Sequence, residues 1–143
     1  MMKLNFMLID DSEIDLLIHE RCIEKEVSDA EIITFIRAEN AISYLGSLEG
    51  RSMSEFLFVP DFIFLDANMP DMNGLEFLDA FSDLKDTKLN STKIYMLSSS
   101  TSMKDMIDAE CHTACSGFIS KPLTGEMLRQ IVSESNRTVF HNN

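Results

Sequence analysis

Five short apolar runs, each followed by a stretch with helical spacing, constrain what this chain can fold into. The runs fall at 4–9, 32–36, 62–65, 93–97 and 117–120. The third, Phe62-Ile63-Phe64-Leu65, is apolar at every position. A strand that is apolar on both faces belongs inside a parallel sheet covered by helices on both sides. The spacing therefore predicts an α/β fold of (βα)5 type, a doubly wound, parallel five-stranded sheet in three α/β/α layers. Connection rules for such sheets favour the strand order 2-1-3-4-5.

The helical stretches carry their own signals. Ser12 is placed to cap the first helix, with Asp15 three residues on as an approximate capping box. Ile14, Leu17, Ile18 and Cys22 share one face of that helix and are expected to be its buried side. The second helix is expected at 40–48. The third starts near Gly74 with Leu75, Phe77, Leu78 and Phe81 as its apolar set, and the fourth runs over 103–115. Thr124 caps a fifth that carries Met127, Leu128, Ile131 and Val132. The segment 46–60 is long for a connection, which usually takes about 2–6 residues. It is expected to form a helix end and an exposed loop, with Phe56, Leu57 and Phe58 packing back onto the body.

At 143 residues, with 45% hydrophobic and 25% charged residues, the chain suits one domain with a substantial core, taken as 1–143 with the packed part at about 3–137 and no effector domain. A net charge of −12 argues against nucleic acid as a partner. No apolar stretch approaches the roughly 20 residues that span a bilayer, so no membrane association is expected. The start, MMKLNFMLIDD, makes a poor signal peptide. Three cysteines, an odd number, do not suggest a disulfide framework, and a cytoplasmic location is expected. Cys111, His112 and Cys115 invite a metal reading but lack a fourth ligand. Small buried cysteines, with Cys111 and Cys115 on one helix face, are the simpler expectation.

In open α/β sheets ligands bind beyond the carboxyl ends of the strands, where the order reverses. Polar residues of particular chemistry stand at those ends. Asp10 and Asp11 close the first run, Asp66 the third and Ser98 the fourth, while Lys121 follows the fifth, directly before Pro122. With strands one and three adjacent, the three carboxylates converge. Two unit charges about 5 Å apart repel by roughly 3 kcal/mol at an effective dielectric near 20. A divalent cation and an ammonium group would turn that repulsion into a binding site.

These residues in this order, with Ala67-Asn68-Met69-Pro70-Asp71-Met72-Asn73-Gly74 after Asp66 and Lys121-Pro122 at the end, resemble the receiver domain of two-component response regulators. The resemblance covers almost the whole chain and agrees with a flavodoxin-like strand order. It implies that Asp66 accepts a phosphoryl group from a sensor histidine kinase or a histidine phosphotransfer protein. Small acyl phosphates would also serve as donors. It further implies Mg²⁺ held by Asp11, Asp66 and the Asn68 carbonyl, with Asp10 acting through bound water, and Lys121 paired with a phosphoryl oxygen. Ser98 and Phe118 would be the switch pair, with Asn68 and Ser100 tuning the lifetime of the acyl phosphate. Lys121-Pro122 would carry a cis peptide. Such a domain is a phosphoacceptor, not an enzyme of turnover. Its output would pass to a downstream protein partner, to a histidine by relay, or through a phosphorylation-linked homodimer.

Blander readings exist for each residue. Asp10 and Asp11 would suit a helix N-terminus, worth about 0.3–1 kcal/mol each. The hydroxyls of 98–102 would suit a polar loop, and Phe118 a core position. The functional alternatives are a Mg²⁺-dependent phosphohydrolase with an aspartyl-phosphate intermediate, or a degenerate receiver acting by binding alone. The hydrolase class places its nucleophile after the first strand in a D-x-D pattern, which the DDSE sequence lacks. A flavodoxin-like electron carrier would need a phosphate loop after the first strand, and none is visible.

Overall fold

A computed structural model describes residues 3–54, 56–99 and 103–141, with side chains described as far as residue 135. Among the described residues five strands and five α-helices alternate, with a 3-10 turn at Thr87–Leu89 before the fourth strand. They are β1 (Leu4–Ile9), α1 (Glu13–Glu26), β2 (Ala30–Phe35), α2 (Ala38–Gly46), β3 (Phe62–Asp66), α3 (Gly74–Ser82), β4 (Lys93–Ser98), α4 (Met103–Glu110), β5 (Cys115–Ser120) and α5 (Gly125–His141). All strand pairs are parallel and the order is β2-β1-β3-β4-β5, as the connection rules predict. The fold is the flavodoxin-like one expected.

Side chains of a strand alternate between its faces, and here the alternation sorts the core into two layers. Met7, Ile9, Ile63, Leu65, Ile94 and Met96 pack under α2, α3 and α4 with Ala41, Phe77 and Ala109. Phe6, Leu8, Phe62, Phe64, Leu97 and Ile119 pack under α1 and α5 with Leu16, Ile23 and Leu128. Phe6 stacks on Phe62 with ring centroids 5.3 Å apart, which fastens β1 to β3 beneath their carboxyl ends. By the same parity, Asp10 and Asp66 continue the α1/α5 face and Ser98 continues the α4 face.

Several local expectations need correction. The buried side of α1 is Leu16, His19 and Ile23, whereas Ile14, Leu17 and Ile18 are 72%, 49% and 47% exposed. Of the expected face, Cys22 alone packs against the core. Two apolar stripes compete on this helix, and the crossover to the sheet selects the one beside Asp15. The capping box is half made: Ser12 Oγ accepts from Asp15 N at 3.2 Å, but the Ser12 amide donates to Asp10 Oδ1 at 2.9 Å.

The fourth helix stops at Glu110, so Cys111 and Cys115 do not share a helix face, and Cys111 is exposed. Cys115 starts β5, whose register shifts between Ile94 and Tyr95. Gly117 sits there against the Tyr95 ring, where a Cβ would meet ring carbons at 3.0 Å. Phe56 is 90% exposed, while Leu57 and Phe58 are buried as expected. Tyr44 Oη donates to the Phe58 carbonyl at 2.6 Å and pins the loop to α2.

Candidate functional site

Three strand ends and the first turn of α1 build the site. Asp10 follows β1, and its backbone amide donates to the Phe35 carbonyl at 3.0 Å. Asp66 is the last residue of β3, a strand buried at all five positions. The carboxylates of Asp10, Asp11 and Asp66 offer oxygens within 4.8 Å of one another. Asp10 and Asp66 are buried and Asp11 is exposed. Convergence of these three side chains, expected from the strand order, is therefore observed.

Lys121 completes the cluster from β5. Its amide donates to the Ser98 carbonyl at 2.9 Å, and the Lys121-Pro122 bond is cis. Its ammonium donates to Asp10 Oδ2 at 2.8 Å and to Asp15 Oδ2 at 2.9 Å, and lies 3.6 Å from Asp66 Oδ1. Burial opposes the charge on Lys121. The two hydrogen bonds and the charge of Asp66 outweigh it and hold the amine above its usual pKa. Asp66 moves the other way from an ordinary carboxyl. Burial, with the charges of Asp10 and Asp11, raises its pKa to about 6 against the opposing pull of the Asn68 amide and Lys121. Three carboxylates share the Lys121 ammonium, and Asp11 adds a fourth beside Asp10 and Asp66, so the site attracts hard cations.

The loop after Asp66 is held at several points. The Asn68 amide donates to Asp66 Oδ1 at 3.2 Å, the Ala67 amide to the Leu97 carbonyl at 2.8 Å, and the Gly74 amide to the Ala67 carbonyl at 3.0 Å. Asn73 and Glu76 form a full capping box at the start of α3. Asp71 Oδ2 accepts from the Glu39 amide at 2.9 Å, supplying the cap that Arg37 does not give to α2.

A protein-family model for the response regulator receiver domain matches residues 6–133. The chain belongs to that family. Among solved structures, it is similar to a two-component response regulator from Cytophaga hutchinsonii, at 28% identity over 95% of this chain and 99% of that one, with a TM-score of 0.82. A response regulator receiver protein from Dyadobacter fermentans DSM 18053 shares 28% identity over 92% and 97% of the two chains, with a TM-score of 0.76. A two-component response regulator from Legionella pneumophila gives 27%, 94% and 99%, with a TM-score of 0.73. No curated protein matches the chain.

Receiver domains are phosphoacceptor signalling modules that bind Mg²⁺ at an acidic pocket and interact with histidine kinases or phosphotransfer proteins and with downstream partners. In this receiver the acidic cluster of Asp10, Asp11 and Asp66 stands at the carboxyl ends of β1 and β3. No helix among the described residues is long and apolar enough to cross a membrane. Ser98 ends β4 beside the site and is buried; Phe118 is half-buried against the α2/α3/α4 layer. Asn68 is exposed at the loop, and Ser100 lies outside the described residues.

Sequence reasoning assigned no site role to two residues. From the sequence Asp15 reads as a cap alone, and the acid four residues beyond Asp11 is the one signal for a site role. His19 is buried beside Lys121. Burial first and then the Lys121 charge push its pKa below the usual imidazole range, despite Asp10 and Asp15, so the ring is neutral at pH 7.

Proposed function

We propose that Asp66 is the phosphoacceptor of a two-component phosphorelay and that the acidic cluster holds Mg²⁺ while it reacts. The observation that carries this reading is the pairing of Asp66 with both partners it needs. Asp10 and Asp11 lie within 4.8 Å of it and the Lys121 ammonium 3.6 Å away. The donor set fits Mg²⁺, which prefers oxygen ligands and keeps several waters. Asp11, Asp66 and the Asn68 carbonyl would hold it, with Asp10 acting through water. Bound there, the ion would neutralise charge on the incoming phosphoryl oxygens.

In the transfer, an Asp66 carboxylate oxygen forms a bond to phosphorus. The bond from phosphorus to the donor's histidine nitrogen, or to the acyl oxygen of a small donor, breaks, and the leaving group takes its electron pair. Lys121 pairs with a phosphoryl oxygen as a mobile point charge. The Ser98 hydroxyl turns to hydrogen-bond the phosphoryl group, and Phe118 follows it, shifting the population between two packings of the surface of α4, β5 and α5. That surface would then meet a downstream protein or a second copy of the chain. Asn68 and Ser100 would face the attacking water. Neither is a strong base that would activate that water.

The test is to weigh the intact protein after incubation with Mg²⁺ and acetyl phosphate. One phosphoryl group should be gained, and the gain should disappear with EDTA and in Asp66→Asn. No adduct, together with no binding of beryllofluoride, would mean a receiver that acts by binding alone.

A further inference from the structure

An ammonium group has three protons to donate, and in the resting site two of those on Lys121 are committed to Asp10 and Asp15. Asp15 earns notice because nothing in its local structure requires the contact. It occupies the third position of α1, from which an acidic side chain ordinarily returns to the N-cap amide. That amide, on Ser12, is already given to Asp10 Oδ1. The Asp15 carboxylate is thereby released to reach across to β5, with its side chain 34% exposed.

We propose that Asp15 is a positioning residue for Lys121, a latch that holds the ammonium on α1 and competes for it with the phosphoryl group on Asp66. This rests on the phosphoacceptor reading above. Phosphorylation replaces the monoanion of Asp66 with a group that is close to a dianion at pH 7, and Lys121 must turn towards it. The groups around the ammonium are Asp10, Asp15, Asp66 and the neutral His19. Asp10 and Asp66 belong to the three-carboxylate cluster, where a bound cation takes up part of their charge. Asp15 stands outside that cluster, so its hold on Lys121 persists when the cation binds. It is the contact that opposes the turn of the ammonium towards the phosphoryl group.

Asp15→Asn keeps the shape and removes the charge. The beryllofluoride concentration for half-saturation in Mg²⁺, followed by NMR, is expected to fall about fivefold, the equilibrium equivalent of a partly exposed ion pair. The fraction phosphorylated at a fixed, sub-saturating concentration of acetyl phosphate should rise with it. Asp15→Glu retains the charge and should return both readouts towards the wild type, and added salt should narrow the difference. A residue with only a structural role would lower the melting temperature and leave half-saturation where it was. If the wild type takes up a phosphoryl group and Asp15→Asn matches it or binds more weakly, the latch is overturned and the phosphoacceptor reading stands. If the wild type takes up neither phosphoryl group nor beryllofluoride, both fall together.

Discussion

Asp66→Asn is expected to make the folded protein more stable at pH 7 in the absence of divalent cations. Burial, with the charges of Asp10 and Asp11, raises the pKa of the Asp66 carboxyl from 3.8 to about 6. A carboxyl raised in the folded state binds its proton more tightly there than in the unfolded chain. Stability therefore falls as pH rises from about 4 to about 6, and above that the whole cost is present. That difference corresponds to about 3 kcal/mol. Discounted for water at the rim of the site, about 1–2 kcal/mol should be recovered by the neutral amide. Guanidinium unfolding in EDTA would measure it. The gain should be present at pH 7 and vanish below about pH 4, where the wild-type carboxyl is itself neutral. Mg²⁺ should narrow or reverse the difference, because a ligand that binds the folded wild type stabilises it by mass action. Equal stability of the two proteins at pH 7 would remove the electrostatic account of the site.

Lys121→Met should have the opposite sign and a larger size. The substitution keeps the aliphatic stem and removes the only cation in direct contact with Asp10, Asp15 and Asp66 among the described ion pairs. The Asp10 side chain is 4% exposed and the Lys121 side chain 13%, so the remaining carboxylates stay poorly solvated. Breaking one side of a buried pair costs about 3–5 kcal/mol. The low end applies here because Asp15 reaches water. Destabilisation of about 3 kcal/mol at pH 7 is the expected result. Combined with Asp66→Asn it should be partly relieved, since the second change removes one of the repelling charges. A double-mutant cycle in guanidinium would give that coupling, on the order of 1 kcal/mol or more for groups in contact. Simple additivity would mean that Lys121 and Asp66 do not sense each other.

What was legible in the sequence follows from where strands stop. A run such as FIFL must be inside the sheet, so the Asp that ends it must be at the sheet's rim. The same logic places Asp10, Ser98 and Lys121 at the rim, and their convergence follows once the order 2-1-3-4-5 is assumed. Helix faces were less legible. Ile14, Leu17 and Ile18 satisfy helical spacing as well as Leu16, His19 and Ile23 do, and tertiary geometry decides between them. A buried histidine on the chosen stripe makes it look the less apolar of the two. The contact of Asp15 with Lys121 joins residues 106 apart in the chain, and no local pattern encodes it. α4 ends at Glu110, short of the expected 115: Cys111, Ala114 and Cys115 continue an apolar count that the pairing of Cys115 with Ile94 interrupts.

The all-buried β3 has a consequence for the order in which the molecule opens. Amide hydrogen exchange from a central strand of this kind is expected to require unfolding of the whole domain, whereas edges and helix ends open locally at lower free energy. Asp66 belongs to β3, flanked by β1 and β4; Lys121 follows the edge strand β5, and Asp15 rides on the first turn of α1. Partial opening would thus free the ammonium and its tether while the acceptor stays in register. The chemically most labile group the protein would carry is fixed to the part of the chain that lets go last.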